Sequence, residues 1–302
     1  MEEKINKNSN KIFIFLIVLA MVVWGGSWTS AKIISGLTKP QVLAFWRFFI
    51  TFISLIPIMI ITKQSFKLSF KGFIFAITGA ILMVLYNQFF FGGLKLGLVS
   101  IGGVLVTTIN PIFTFIITLF LFKNKIKLKE IIGLLFGLIG GLVLLEIWNF
   151  SLNQLMLSGN LLFLLAALVW AFITIVSQQS KTSLSPITFS LYLYGFSSIF
   201  DFILAFNSGI FEVFNFSYIF WLNILYLSII STTFATTVYF YCSTTLGSNK
   251  ASSFIFLVPI NAVLISWLIL HEVPKLSTVF GGIMAMLAVY LINFNNSPKK
   301  TG

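Results

Sequence analysis

Charge is what this sequence has least of. Asp, Glu, Lys and Arg make up 9% of its 302 residues, and just seven residues are acidic. A soluble domain is nearer a quarter charged. With 58% hydrophobic residues and a mean hydropathy of +1.04, too little polar surface remains to coat a core of this size. A soluble globular enzyme and a disordered chain are therefore excluded. The single cysteine, Cys242, forms no intrachain disulfide and offers too few thiols for a cysteine metal site, which excludes a secreted disulfide scaffold. The single histidine, His271, excludes H-E-x-x-H metal chemistry. No Gly-x-Ser-x-Gly elbow is present, and no G-x-x-x-x-G-K-[ST] phosphate loop. No catalytic residue and no cofactor is implied; energy for any work comes from a gradient.

What the sequence does have is long apolar runs. A bilayer core of about 30 Å needs roughly 20 apolar residues per helix. Ten such runs occur, at about 12–34, 40–62, 73–94, 99–122, 131–148, 159–178, 187–206, 218–241, 251–271 and 276–293. They are continuously apolar and lack alternation at period two, so they read as helices and not as barrel strands. The first run begins with lysines like a signal peptide. It is too long for one, however, and continues into Trp24-Gly25-Gly26-Ser27-Trp28 without a small-residue cleavage site, so it reads as a retained helix. The expected fold is an all-α integral membrane protein.

A net charge of +12 would ordinarily suggest nucleic acid. Here most lysines lie between apolar runs, where they set topology, and no nucleic-acid partner is implied. With the N-terminus in the cytoplasm, 14 of the 19 Lys and Arg residues fall on inner segments. Lys39, Lys95 and Lys275 fall outside, and Lys32 and Arg47 lie within spans. The asymmetry predicts both termini in the cytoplasm of a bacterial cell, with the chain in its inner membrane and an even number of spans.

The chain also repeats itself. Trp24 and Pro40 are matched by Trp170 and Pro186 at an offset of 146, and Pro111 and Gly133 by Pro259 and Gly281 at 148. The halves are therefore 1–148 and 149–302, five helices each. An odd number of spans per copy makes the second copy enter from the opposite face, and such inverted repeats place a transporter's site at the midplane between two bundles.

The Trp-Gly pair in helix one, the Arg in helix two, Gly97-Leu98-Val99-Ser100 through Asn110-Pro111-Ile112-Phe113-Thr114 with its echo around Pro259, and the Leu270-His271-Glu272 helix end together resemble the EamA-type branch of the drug/metabolite transporter superfamily. The resemblance covers nearly the whole chain and implies the ten-helix, two-repeat plan. It also implies transport of amino acids, related metabolites, drugs or sugar derivatives. One departure is Lys123-Asn124, where the family ends its fourth helix with Glu.

The candidate site residues are those costly to place in lipid. A charge at a helix centre costs about 2.5–3.5 kcal/mol on insertion scales. Arg47 lies about 10 Å into the bilayer at 1.5 Å per residue. Lys32 and Lys95 lie at similar outer depth, where they draw in an anion or simply snorkel. Arg47 has a structural alternative, capping carbonyls or pairing Asp201; Glu146 and Glu212 read as interfacial. Tyr86, Asn87 and Gln88 fall at mid-span, as do Thr107, Thr108 and Asn110. The second half has Thr232, Thr233, Thr236, Thr237 and Tyr239, then Asn261. Each needs another helix, a cavity or a substrate as partner. Trp24, Trp28 and Trp170 are candidate aromatic walls. Pro111 and Pro259 remove a helical hydrogen bond and are candidate gate or hinge positions. Gly133, Gly137 and Gly141 with Gly281 and Ala285 form small-residue seams suited to close helix packing, or to a homodimer.

The expected function is a secondary transporter, monomeric or dimeric, that exports an amino acid or related small molecule. Lys32 or Arg47 would hold its carboxylate, Tyr86, Asn87, Gln88 and Asn110 its polar groups, and Trp24 and Trp170 its apolar part. Two alternatives share the architecture: a flippase for lipid or lipid-linked sugar, and a non-transporting scaffold subunit.

Overall fold

A computed structural model describes residues 2–123, 126–270 and 275–294. Asn124 of the Lys123-Asn124 departure, and His271 and Glu272 of the helix-end motif, lie outside the described residues. The described residues contain no strand. Ten helices among the described residues are long and apolar enough to cross a membrane. The first repeat supplies α1 (Ile12–Ser35), α2 (Pro40–Ile61), α3 (Phe70–Leu96), α4 (Ser100–Phe122) and α5 (Leu128–Leu145). The second supplies α6 (Ser158–Ser180), α7 (Pro186–Ala205), α8 (Tyr218–Leu246), α9 (Ser248–Ile265) and α10 (Leu276–Asn293). The ends of successive spans alternate between two faces, called here the Ser35 face and the Ile61 face.

Local chemistry sets the boundaries. Pro40 and Pro186 each open their helix at its first turn, where the missing N–H costs nothing. Helix α3 begins three residues before the apolar run because the Ser69 hydroxyl accepts the Gly72 N–H at 3.1 Å and caps it. Helix α5 stops before residue 148 because Glu146 turns left-handed at φ 52°.

Two spans are not plain α-helices. The centre of α8, Tyr226–Thr236, is π-helical. There the hydroxyls of Thr232, Thr233 and Thr236 donate to carbonyls five residues back, at 2.7, 3.0 and 3.1 Å, the spacing of the wider turn. Span α9 is helical over Ser248–Ser253, tightens to a 3-10 turn at Phe254–Phe256, and resumes over Leu257–Leu270.

The two repeats reuse one set of contacts. Helices α2 and α7 pack together, as do α5 and α10; α3 and α4 lie against α6 just as α8 and α9 lie against α1. The small-residue seams serve the α5–α10 contact. A Cβ at Gly281 would sit 2.6 Å from the Gly140 carbonyl oxygen, and one at Gly133 3.1 Å from that of Ala288. Only glycine allows backbones this close. Gly137 and Gly141 face Phe256 and Thr108, so these glycines are used within the chain.

Candidate functional site

A cavity of about 50 Å³ lies where the two repeats meet. Its walls come from α1 (Trp24, Ser27, Trp28), α2 (Arg47), α3 (Tyr86, Phe90), α4 (Val106, Thr107, Asn110), α6 (Trp170), α8 (Leu227, Ser231, Thr236) and α9 (Ile255, Val258). Trp24, Asn110, Trp170 and Ser231 fall near the centres of their spans. The space is far smaller than the roughly 300–1,000 Å³ of an ordinary ligand pocket, so a metabolite needs the bundles to part.

The lining is aromatic. Trp24 meets Trp170 edge to face, with ring centroids 5.3 Å apart, and Tyr86 lies 4.7 Å from Trp170. Trp28 packs on Phe90 at 5.0 Å. The Trp24 indole donates to the Ser231 carbonyl at 3.2 Å, tying α1 to the π-helical turn of α8.

One cation faces this aromatic box. Arg47 donates through Nε to Thr232 Oγ1 at 3.0 Å and through Nη1 to Asn87 Oδ1 at 3.3 Å. The alternative pairing with Asp201 does not form: the Asp201 carboxyl accepts instead from Gln88 Nε2 at 3.2 Å. No acidic side chain among the described residues pairs with Arg47. Two buried polar atoms on lining residues also lack hydrogen-bond partners, Asn110 Oδ1 and Ser231 Oγ. Buried polar groups are nearly always satisfied, and both of these belong to residues that line one small space.

Of the residues singled out from sequence, Trp24, Trp28, Arg47, Tyr86, Thr107, Asn110, Trp170 and Thr236 line the cavity. The others sit behind it. Asn87 accepts from Arg47, and Tyr239 packs on Trp24 at 5.1 Å while its hydroxyl meets Thr174 at 2.9 Å. Lys32 donates to the Leu94 carbonyl at 2.9 Å, in the last turn of α3, where a cation is favoured. Asn261 donates to the Leu257 carbonyl at 2.8 Å within α9, and its backbone packs on Gly25 of α1.

The prolines act one turn upstream. Pro111 has no N–H for the Thr107 carbonyl, nor Pro259 for that of Ile255, and both Thr107 and Ile255 line the cavity. The pair is offset by 148, like the prolines themselves. Ser27, Phe90, Leu227 and Ser231 were not singled out from sequence. Only Ser231 carried a signal, by standing at the head of the threonine cluster.

A second space, a groove of about 770 Å³, opens on the Ser35 face between α1, α4, α9 and α10. It shares Trp28 and Val258 with the central cavity. At its rim Lys275 Nζ and Ser277 Oγ donate to the Glu146 carboxylate at 2.8 and 2.7 Å. The Lys275 ammonium, seconded by the Ser277 hydroxyl, holds the Glu146 carboxyl below its usual pKa range. This clasp joins the end of α5 to the start of α10.

Comparison with known proteins agrees with this architecture. A solved crystal structure 17% identical in sequence superposes with a TM-score of 0.74, covering 93% of this chain and 96% of its own, and so shares the fold. An uncharacterized transporter of Bacillus subtilis, YoaV, is 25% identical over 291 residues, covering 94% of this chain and 97% of its own length. An uncharacterized transporter of Archaeoglobus fulgidus is 24% identical, with 91% and 95% covered. A probable amino-acid metabolite efflux pump of Salmonella typhimurium is 29% identical over 161 residues, about half of each chain. The model of the EamA-like transporter family matches twice, at residues 11–145 and 157–294. This chain, a multi-pass membrane protein with ten apolar helices among its described residues and two repeats, belongs to the EamA-like transporter family.

Proposed function

We propose that the protein is a secondary transporter of the bacterial cytoplasmic membrane, exporting amino acids or related small metabolites by alternating access through the central cavity. The observation that carries this reading is Arg47: a guanidinium beside a small aromatic cavity, with no carboxylate among the described residues to neutralise it. A substrate carboxylate supplies the missing charge, in the way Arg ordinarily binds carboxylates. Asn110 Oδ1 and Ser231 Oγ offer partners for an ammonium or hydroxyl, and Trp24, Tyr86 and Trp170 enclose the apolar part. Lys32 is engaged with α3, so anion capture falls to Arg47. The Salmonella relative's description as an amino-acid metabolite efflux pump favours the same cargo.

The repeats, five spans each, are inverted in this reading, and they rock against each other with Pro111 and Pro259 as hinge points. The lysine distribution supports a cytoplasmic Ile61 face, with both termini on that side in this reading. One observation favours a lipid flippase: an apolar groove of about 520 Å³ between α2 and α7, lined by Phe45, Phe49, Phe52 and Phe202 among others. It shares no lining residue with the central cavity, which argues for transport of a soluble substrate.

The test is counterflow of radiolabelled amino acids into liposomes holding the purified protein. Exchange above that of empty liposomes, slowed by Asn87→Ala, supports the proposal. No exchange of any amino acid overturns this substrate class, and a lipid-scrambling assay on the same vesicles separates the flippase.

A further inference from the structure

Asp201 is fully buried on α7, four residues before the helix ends at Ala205 on the Ser35 face. That is roughly 6 Å from the end at 1.5 Å per residue. Gln88 donates to Oδ1, and Oδ2 has no partner. The central cavity does not include it.

None of the ionisable groups on the surrounding helices forms an ion pair or hydrogen bond with it. On α2, Arg47 is turned to Thr232 and Asn87. On α3, Tyr86 faces the cavity and Lys95 is exposed. Helix α6 carries no charged residue. On α8, Tyr226 bonds the Val23 carbonyl and Tyr239 meets Thr174. Tyr194, on α7 itself, packs against Phe48. A carboxylate fixed in a membrane protein for structure alone has a counter-ion or several donors, as Glu146 does here with Lys275 and Ser277. Asp201 has one amide donor and an idle oxygen.

Its one partner leads back to the cavity. Gln88 is next in sequence to Asn87, which accepts from Arg47. This turn of α3 therefore touches the buried carboxyl on one side and the substrate-binding cation on the other.

We propose that Asp201 is a proton-binding site that couples an inward proton to outward substrate, an inference that rests on the transport reading above. A proton taken from the Ser35 face adds to the free oxygen and converts the carboxylate to the neutral acid, the form compatible with a closed, dry bundle. When the bundle opens to the Ile61 face and water reaches the carboxyl, the proton leaves. Substrate binding at Arg47 shifts Asn87 and, through the shared turn, Gln88, so that one event is felt at the other site. No bond of the substrate changes.

The test uses the full-length protein in liposomes with a radiolabelled amino-acid mixture and a pH dye in the lumen. Counterflow at equal pH examines transport alone. An acidic lumen examines coupling: one pH unit at one proton per substrate drives up to about tenfold accumulation in the lumen, accompanied by its alkalinisation. The expected result is that Asp201→Asn keeps counterflow within about twofold but loses both accumulation and the dye response, while Asp201→Glu restores them. Wild-type counterflow with no pH-driven accumulation or proton movement overturns proton coupling while leaving transport standing. Accumulation by Asp201→Asn equal to wild type overturns the assignment to Asp201. Absence of wild-type counterflow overturns the transport reading and this inference with it. The dye measurement on wild-type protein decides the coupling even if the variants fail to fold.

Discussion

Trp24 and Trp170 occupy equivalent places in the two repeats, 146 positions apart, and their indoles meet edge to face with centroids 5.3 Å apart. Each repeat thus contributes the same residue to the same wall of the cavity. Such aromatic pairs are worth about 0.5–1.5 kcal/mol beyond their buried area. Trp24→Ala and Trp170→Ala are each expected to slow counterflow, and the double variant to lose less stability than the sum of the singles. A thermal-unfolding cycle in detergent checks this; strict additivity would show that the rings do not interact.

Arg47 separates function from stability. Its guanidinium is half-buried without a carboxylate, so removing it relieves a cost even as Thr232 and Asn87 lose a partner. Arg47→Met should change unfolding stability by no more than about 1 kcal/mol yet lower transport by at least about tenfold, a 1.4 kcal/mol effect. Arg47→Lys keeps the charge but not the planar fork and should fall between. Counterflow alongside size-exclusion and melting profiles decides; an unimpaired Arg47→Met protein would remove Arg47 from the substrate site.

The α5–α10 contact gives a prediction of opposite kind. With 2.6 Å between a Cβ at Gly281 and the Gly140 carbonyl oxygen, Gly281→Ala forces the helices apart. The expected cost is about 1–3 kcal/mol, as for overpacking elsewhere, read as a lower melting temperature. A variant that melts with wild type would show that this seam is looser than the structure has it.

Glu146 supplies a pH dependence whose sign follows from its partners. Lys275 and Ser277 depress the folded pKa, so the clasp stabilises the folded protein fully above the ordinary carboxylate range. That contribution is lost as pH falls through the lowered folded value. Protection from hydrogen exchange at Leu145–Ile147 and Ser277–Val279, taken relative to the intrinsic exchange rate at each pH, should be flat from about pH 5 to 8, the window above an ordinary Glu pKa of about 4.3, and should fall in acid. Glu146→Gln should show the lower protection at neutral pH. Unchanged exchange in that variant would discount the clasp.

Much of this was legible in the sequence because lipid penalises exceptions. Arg47, Tyr86 and Asn110 stood out as polar residues in apolar runs, and Trp24 and Trp170 stood out by their matched positions. All five line the cavity. The sequence did not reveal which way a helix is turned. Lys32 and Arg47 had similar calculated depths, yet Lys32 is rotated toward the Leu94 carbonyl and Arg47 toward the cavity. Gln88 and Asn87 are neighbours that face different partners for the same reason. The π-helical turn of α8 was hidden because threonines donating five residues back have the same composition as threonines in an α-helix.

The most direct measurement asks whether the central cavity meets water from both sides. In a Cys242→Ser background, Ser231→Cys places one thiol on the cavity wall, and a membrane-impermeant thiol reagent is applied to each face of oriented vesicles in turn. The account predicts labelling from both faces, slowed by the transported amino acid. A thiol that stays unreactive from both faces, or reacts from one alone whatever the substrate concentration, would contradict it.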